Sequence, residues 1–217
     1  MFSRYEVYTT VQSIYCYRET DILRNKLNIR DKDELKRAEE EFSAVKQFVL
    51  LREPIIGRFT KTHLMKIHRF LFEDLYSFAG HIRREQISKG DTMFYPPHLI
   101  DRELDRVFDK IHREGFLFET DRERQIQNLS YVMSELNIIH PFREGNGRSI
   151  REFIRCMALK YGIRLNWGQT DRDTLLDAAV RSVDNSMAFC DVLKQCIERR
   201  LICRNNIYGT RTAIWLS

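Results

Sequence analysis

The chain has 217 residues and a net charge of +5, with 43% hydrophobic and 31% charged residues, enough to build one substantial core. No apolar run approaches the roughly 20 residues that cross a bilayer. MFSRYEVYTT lacks the basic start and apolar stretch of a signal peptide, so the expected location is the cytoplasm. The five cysteines, Cys16, Cys156, Cys190, Cys196 and Cys203, form neither a CxxC pair nor a metal-ligand rhythm, which favours free thiols over a zinc site or a disulfide frame. Lys and Arg are scattered among acids, as in DKDELKRAEEEF, so nucleic acid is a minority option.

Helical periodicity dominates. After the candidate caps Asp31 and Asp33, Leu35, Ala38, Phe42, Val45 and Val49 recur at three- and four-residue steps. The charge run over residues 31–41 reads as a solvated face with i,i+4 pairs. Pro54 and Gly57 break the pattern. Thr60 or Thr62 opens a second helix carrying Leu64, Ile67, Leu71 and Leu75, with Gly80 as its stop. Residues 82–97 differ, because Lys89-Gly90-Asp91 reads as a turn between short, partly alternating arms. Helix resumes through Ile100, Leu104, Val107, Phe108 and Ile111 to Gly115. The next one, with Ile126, Leu129, Met133 and Leu136, delivers the chain to His140. Ile150, Phe153, Ile154, Met157 and Ala158 then mark a helix from about Asn146 or Gly147 to Gly162. Two more follow around residues 175–183 and 189–201. The expected fold is all-α with a small β-hairpin, one domain over 1–203 with its core at about 17–200 and the hairpin at about 82–97. The role of residues 204–217 is open.

The densest chemistry lies in HPFREGNGRSIR, residues 140–151. The first N–H groups of a helix lack intrahelical partners and suit an anion. Gly145 and Gly147 let the backbone approach it closely, and Asn146 can cap the helix or give its amide to a phosphate oxygen. Arg148 and Arg151, three residues apart, emerge on neighbouring parts of one face and could fork onto terminal phosphate oxygens. Glu144 could hold a divalent cation, since Mg²⁺ needs only one or two protein carboxylates beside phosphates and water. His140 can accept a hydroxyl proton, and Phe142 would be buried to fix the loop. A Gly-x-Gly turn alone is usually a connector. The gathering of His, Glu, Asn and two Arg around it points to nucleotidyl or phosphoryl transfer. His63, His68, His81, His98 and His112 are dispersed and read as surface or cap residues, and Trp167 as a packing aromatic.

HPFREGNGRSIR resembles the signature HxFx(D/E)GNGRxxR of the Fic (filamentation induced by cAMP) family at every defining position. LYSFAGHIRREQISKGDTMF is similar to that family's lead into its flap hairpin, and YRETDILRNKLNI to its entry segment. The resemblance implies a helical bundle with a hairpin flap over the active site. It also implies transfer of AMP from ATP to a Ser, Thr or Tyr hydroxyl of a target protein. His140 would then be the general base and Glu144 the Mg²⁺ ligand. Gly145, Asn146 and Gly147 would cradle phosphate, with Arg148 and Arg151 on the β- and γ-phosphates. Lys89, Gly90, Asp91 and Thr92 would lie over the nucleotide, Met93 and Phe94 would dock the target, and Tyr17 would line the pocket. Doc-type relatives carry Lys where Gly147 stands and transfer phosphate, so the intact glycine favours AMP. Many relatives inhibit themselves through (S/T)xxxE(G/N), whose Glu engages the second arginine. Ser3, Thr9, Thr10, Ser13, Thr20, Ser182 and Ser186 all lack Glu four residues on. A separate small antitoxin is therefore the implied partner. DNA gyrase and topoisomerase IV are targets suggested by the family alone, as is delivery into a host cell.

Overall fold

The computed structural model describes residues 12–90 and 92–198. Asp91, Cys203 and the 204–217 segment lie outside them. The helices are α1 (Lys32–Arg52), α2 (Lys61–Phe72), α3 (Pro97–Arg113), α4 (Arg122–Ile139), α5 (Asn146–Lys160), α6 (Arg172–Arg181) and α7 (Cys190–Cys196). Between α2 and α3 stand two short antiparallel strands, β1 (Ser88–Lys89) and β2 (Thr92–Met93), with Ser88 opposite Met93 and Lys89 opposite Thr92. The expected all-α fold with one hairpin is the observed one. Among the described residues no helix is long and apolar enough to cross a membrane.

α5 packs against both α4 and α2, and α1 covers α2. Phe153, Ile154, Met157 and Ala158 on α5 are fully buried, as are Leu129, Val132 and Leu136 on α4 and Leu64 and Ile67 on α2. The turn before α5 is thereby fixed between three packed helices. Asp31, Asp121 and Asp171 cap α1, α4 and α6, each accepting an N–H three residues on. Cys16, Cys156 and Cys196 are free and buried.

Two expectations need correction. α2 stops at Phe72; Gly80, at φ +81°, closes a later turn whose N–H is held by His68. Beyond Leu35, the apolar stripe read on α1 is also not its inner face: Phe42, Val45 and Val49 are 38%, 66% and 38% exposed. The inner face runs through Leu35, Glu39, Ser43 and Leu50 and carries polar groups.

Candidate functional site

α4 ends in a left-handed residue, His140, at φ 49° and ψ 62°, whose N–H donates to the Leu136 carbonyl at 3.1 Å. Pro141 follows and cannot continue the helix. A left-handed non-glycine costs about 1–2 kcal/mol, so its surroundings must hold it. They do so through the ring: Nδ1 lies 3.0 Å from the Asn137 carbonyl, which can only accept, so Nδ1 carries the proton. Nε2 is left with its lone pair and no hydrogen-bond partner among the described residues. Burial, with Arg83 and Lys89 nearby, pulls the imidazole pKa down to about 3 despite the Asn137 contact, so it is neutral at physiological pH.

The loop that follows is braced from inside. Phe142 is fully buried and stacks on His68 at 3.8 Å between centroids. The Gly80 N–H donates to His68 Nδ1 at 2.7 Å, which leaves Nε2–H to donate to the Glu144 carbonyl at 2.9 Å. The Asn146 amide makes two 2.8 Å bonds to the Phe142 backbone, accepting its N–H and donating to its carbonyl. Asn146 therefore closes the turn, and its side chain is not available to phosphate as expected. Arg143, 6% exposed, pairs with Glu85 at 2.9 Å, and Glu85 also accepts from the Ser13 hydroxyl at 2.7 Å. Gly145 has φ +77°, and a Cβ there would sit 2.2 Å from the Phe72 ring. Glycine is required here on both counts.

α5 begins at Asn146 with no side-chain cap, and its first internal bond runs from the Ser149 N–H to the Gly145 carbonyl at 3.1 Å. The N–H groups of Asn146, Gly147 and Arg148 precede that bond and form the positive end of the helix dipole. Gly147 is exposed, and a Cβ on it would come 3.3 Å from an Arg151 Nη. The Glu144 carboxylate accepts the Gly145 N–H at 2.8 Å and lies 3.7 Å from Arg148. Burial and then the Glu39 carboxylate push its pKa up.

The two arginines differ. Arg148 donates to Glu39 and, at 2.8 Å, to Ser43 Oγ, with its guanidinium 4.7 Å above the Phe72 ring centroid. Tyr76 OH donates to the same Glu39 carboxylate. Arg151 has no hydrogen bond or ion pair among the described residues. Burial and the like charge of Arg148 pull its pKa to about 10, so it stays a cation.

Above the turn, Phe94 is 6% exposed and its ring stacks on His140 at 3.7 Å and 12°. It packs on the imidazole of the candidate base. Met93, beside it, is 73% exposed. Lys89 and Thr92 sit opposite each other on the hairpin, and Gly90 turns at φ +56°. Asp91 lies outside the described residues. Tyr17 lies against Arg30, 4.5 Å from the ring centroid to the guanidinium carbon, and its OH donates to the Asn28 side chain at 3.3 Å. No hydrogen bond or ring contact joins it to residues 140–151 among the described residues. Sequence reasoning missed Glu39, His68, Arg83 and Arg143. Only the choice of inner face on α1 could have exposed Glu39, by asking which face of that helix meets an arginine.

A neutral imidazole beside an uncapped helix start, with the Arg151 guanidinium one turn along and unpaired among the described residues, is an arrangement suited to an anion and a proton acceptor. Residues 58–158 match the Fic/DOC family, and the chain belongs to that family. It is 35% identical over 183 residues to the protein adenylyltransferase VbhT of Bartonella schoenbuchensis, covering 84% of this chain and 38% of that protein. It is 33% identical to the probable protein adenylyltransferase y4lH of Sinorhizobium fredii, covering 83% of this chain and 93% of that protein. The fold is similar to the VirB-translocated effector BepC of Bartonella tribocorum, solved with AMPPNP, at a TM-score of 0.76 and 22% identity over 85% of this chain and 96% of that one.

Proposed function

We propose that the chain is a protein adenylyltransferase that moves AMP from ATP to a Ser, Thr or Tyr hydroxyl of a target protein. The observation that carries this reading is the His140 ring, locked by Asn137 as the Nδ1–H tautomer with Nε2 open. The target oxygen attacks the α-phosphorus, its proton passes to Nε2, and pyrophosphate leaves. The depressed pKa keeps the base free of protons at neutral pH, and the negative charge of bound phosphates would strengthen it. The N–H groups at the start of α5 hold phosphate oxygens, and Arg151 is the guanidinium ready for the terminal ones.

Glu144 is the residue that would hold Mg²⁺, which supplies charge neutralisation of the phosphates when bound. The donor set fits: one buried carboxylate, its pKa raised by burial and by Glu39, gains from a cation beside it. A side chain at position 147 would meet Arg151, and the intact glycine, where Doc-type relatives carry Lys, supports AMP over phosphate transfer. Exposed Met93 on the flap offers the contact along which a target chain adds as a strand. Arg151, with no hydrogen bond or ion pair among the described residues, supports control by a separate antitoxin that brings its own carboxylate. DNA gyrase or topoisomerase IV is the proposed target, in the cytoplasm or in a host cell after delivery.

The test is incubation of a lysate with this protein and ATP labelled on either the α- or the γ-phosphate. AMP transfer marks a protein band from the α label only. Marking from the γ label alone would replace this reading with phosphotransfer.

A further inference from the structure

Arg83 lies between the turn at Gly80 and the flap, is 1% exposed, and has no part in the reaction just described. A buried guanidinium normally meets a carboxylate. Among the described residues its hydrogen bonds go only to backbone carbonyls: Nε to His140 at 2.8 Å, Nη1 to Glu85 at 2.7 Å, and Nη2 to Tyr95 at 2.5 Å and Ile139 at 3.3 Å. Its own N–H donates to the Pro141 carbonyl at 2.9 Å. Three segments meet on one planar group: the arm entering the flap, the arm leaving it, and the C-terminal end of α4.

We propose that Arg83 is a positioning residue for the general base: its fork holds the left-handed backbone of His140 and clamps both flap arms, so that Phe94 lies on the imidazole. The last carbonyls of α4 carry the negative end of the helix dipole, so a cation is favoured there. Hydrogen bonds from a charged donor are worth about 1.5–3 kcal/mol each, enough to offset the strain at His140. Burial lowers the Arg83 pKa only to about 10, so the charge persists at neutral pH. Lysine cannot replace it, because a point charge with three donors does not present a planar fork to three segments. Arg83 and Lys89 are the charged groups that act on the ring, and Phe94 covers its face.

The role rests on the AMP-transfer reading, so the test carries one readout of activity and one independent of it. In Arg83→Lys, kcat for α-label transfer is expected to fall by about 10²-fold, the scale of a base misplaced by about 1 Å. ATP affinity, set at α5, should hold within about twofold. By NMR, the His140 ring should lose its fixed Nδ1–H tautomer and titrate closer to the ordinary histidine range. Arg83→Gln, with donors but no charge, is the second variant and should show the same split. An unchanged His140 ring, or ATP affinity that falls in step with kcat, overturns the proposal. So does loss of fold in both variants, since Arg83 would then be a requirement of the fold alone. If the wild-type chain transfers no α label, the functional reading fails, and the ring signals alone judge Arg83.

Discussion

The two ends of the 140–151 turn are built on opposite plans. At the α4 end nearly every polar atom has a partner: His140 N–H, carbonyl and Nδ1 are bonded, and its ring is covered by Phe94. At the α5 end the helix start lacks a side-chain cap and Arg151 has no acceptor among the described residues. A base must be aimed before the substrate arrives, because misalignment lowers the rate directly. A phosphate site must instead leave its donors unanswered, because the ligand supplies the acceptors. The difference separates the positioning half of the site from the binding half, and mutations should sort accordingly.

The largest effect belongs to the positioned end. His140→Ala should lower the transfer rate by about 10²–10⁴-fold while ATP affinity is retained. Transfer within a few-fold of wild type would mean that another group takes the proton. Next comes the hinge between the two ends. Gly145→Ala adds a Cβ against Phe72 at a left-handed position and should cost about 2–5 kcal/mol, the sum of the backbone and overpacking terms. Urea unfolding measures it directly. A midpoint equal to that of wild type would show that Phe72 moves aside easily.

Much of this division was legible before any coordinates. The periodicity around Ile150 and Ile126 placed α5 and α4 correctly, and the short arms around Lys89-Gly90 marked the hairpin, because those elements bury apolar side chains at regular spacing. α1 was misread because its inner face has a different task. It presents Glu39 and Ser43 to Arg148, so hydrophobicity selects the outer face, and the charge run that looked solvated hides a site residue. The side-chain partners of Asn146 and Phe94 escape a reading of the sequence for a second reason. A residue type announces what it can bond, but only the fold decides that the Asn146 amide finds Phe142 and that Phe94 finds the imidazole. His68 is a similar case, with both ring nitrogens bonded across a gap of 76 residues to Glu144 and 12 to Gly80.

The binding end gives the third contrast. Arg151→Ala removes a cation with no hydrogen bond or ion pair among the described residues, so folding stability should change by under about 0.5 kcal/mol. ATP affinity should fall by about tenfold or more, the loss of a charged hydrogen bond. Arg148→Ala should behave in the opposite sense. It leaves Glu39 facing Glu144 without the guanidinium between them, and stability should drop by about 1–3 kcal/mol. Isothermal titration and thermal unfolding on both variants decide it. Equal losses of affinity and stability in the two would erase the distinction between a strut and a clamp.

The smallest expected effect is also the most discriminating. Arg148 is held by Glu39, Ser43 and the Phe72 ring at once, so a nucleotide that recruits it must first weaken the Glu39 pair. Glu39→Gln keeps the shape and one oxygen acceptor for Arg148, places an NH2 where Tyr76 OH can turn to accept, and removes the charge. In a largely buried pair desolvation offsets much of the attraction, so ATP affinity should rise by no more than about fivefold, about 1 kcal/mol. The Glu144 pKa, raised in part by Glu39, should move down towards the ordinary carboxylate value, which carbon NMR of that carboxyl can follow. A fall in ATP affinity would reverse the assignment: Glu39 would be aiming Arg148 at the phosphates, and the α5 end would be prearranged in the same way as the α4 end.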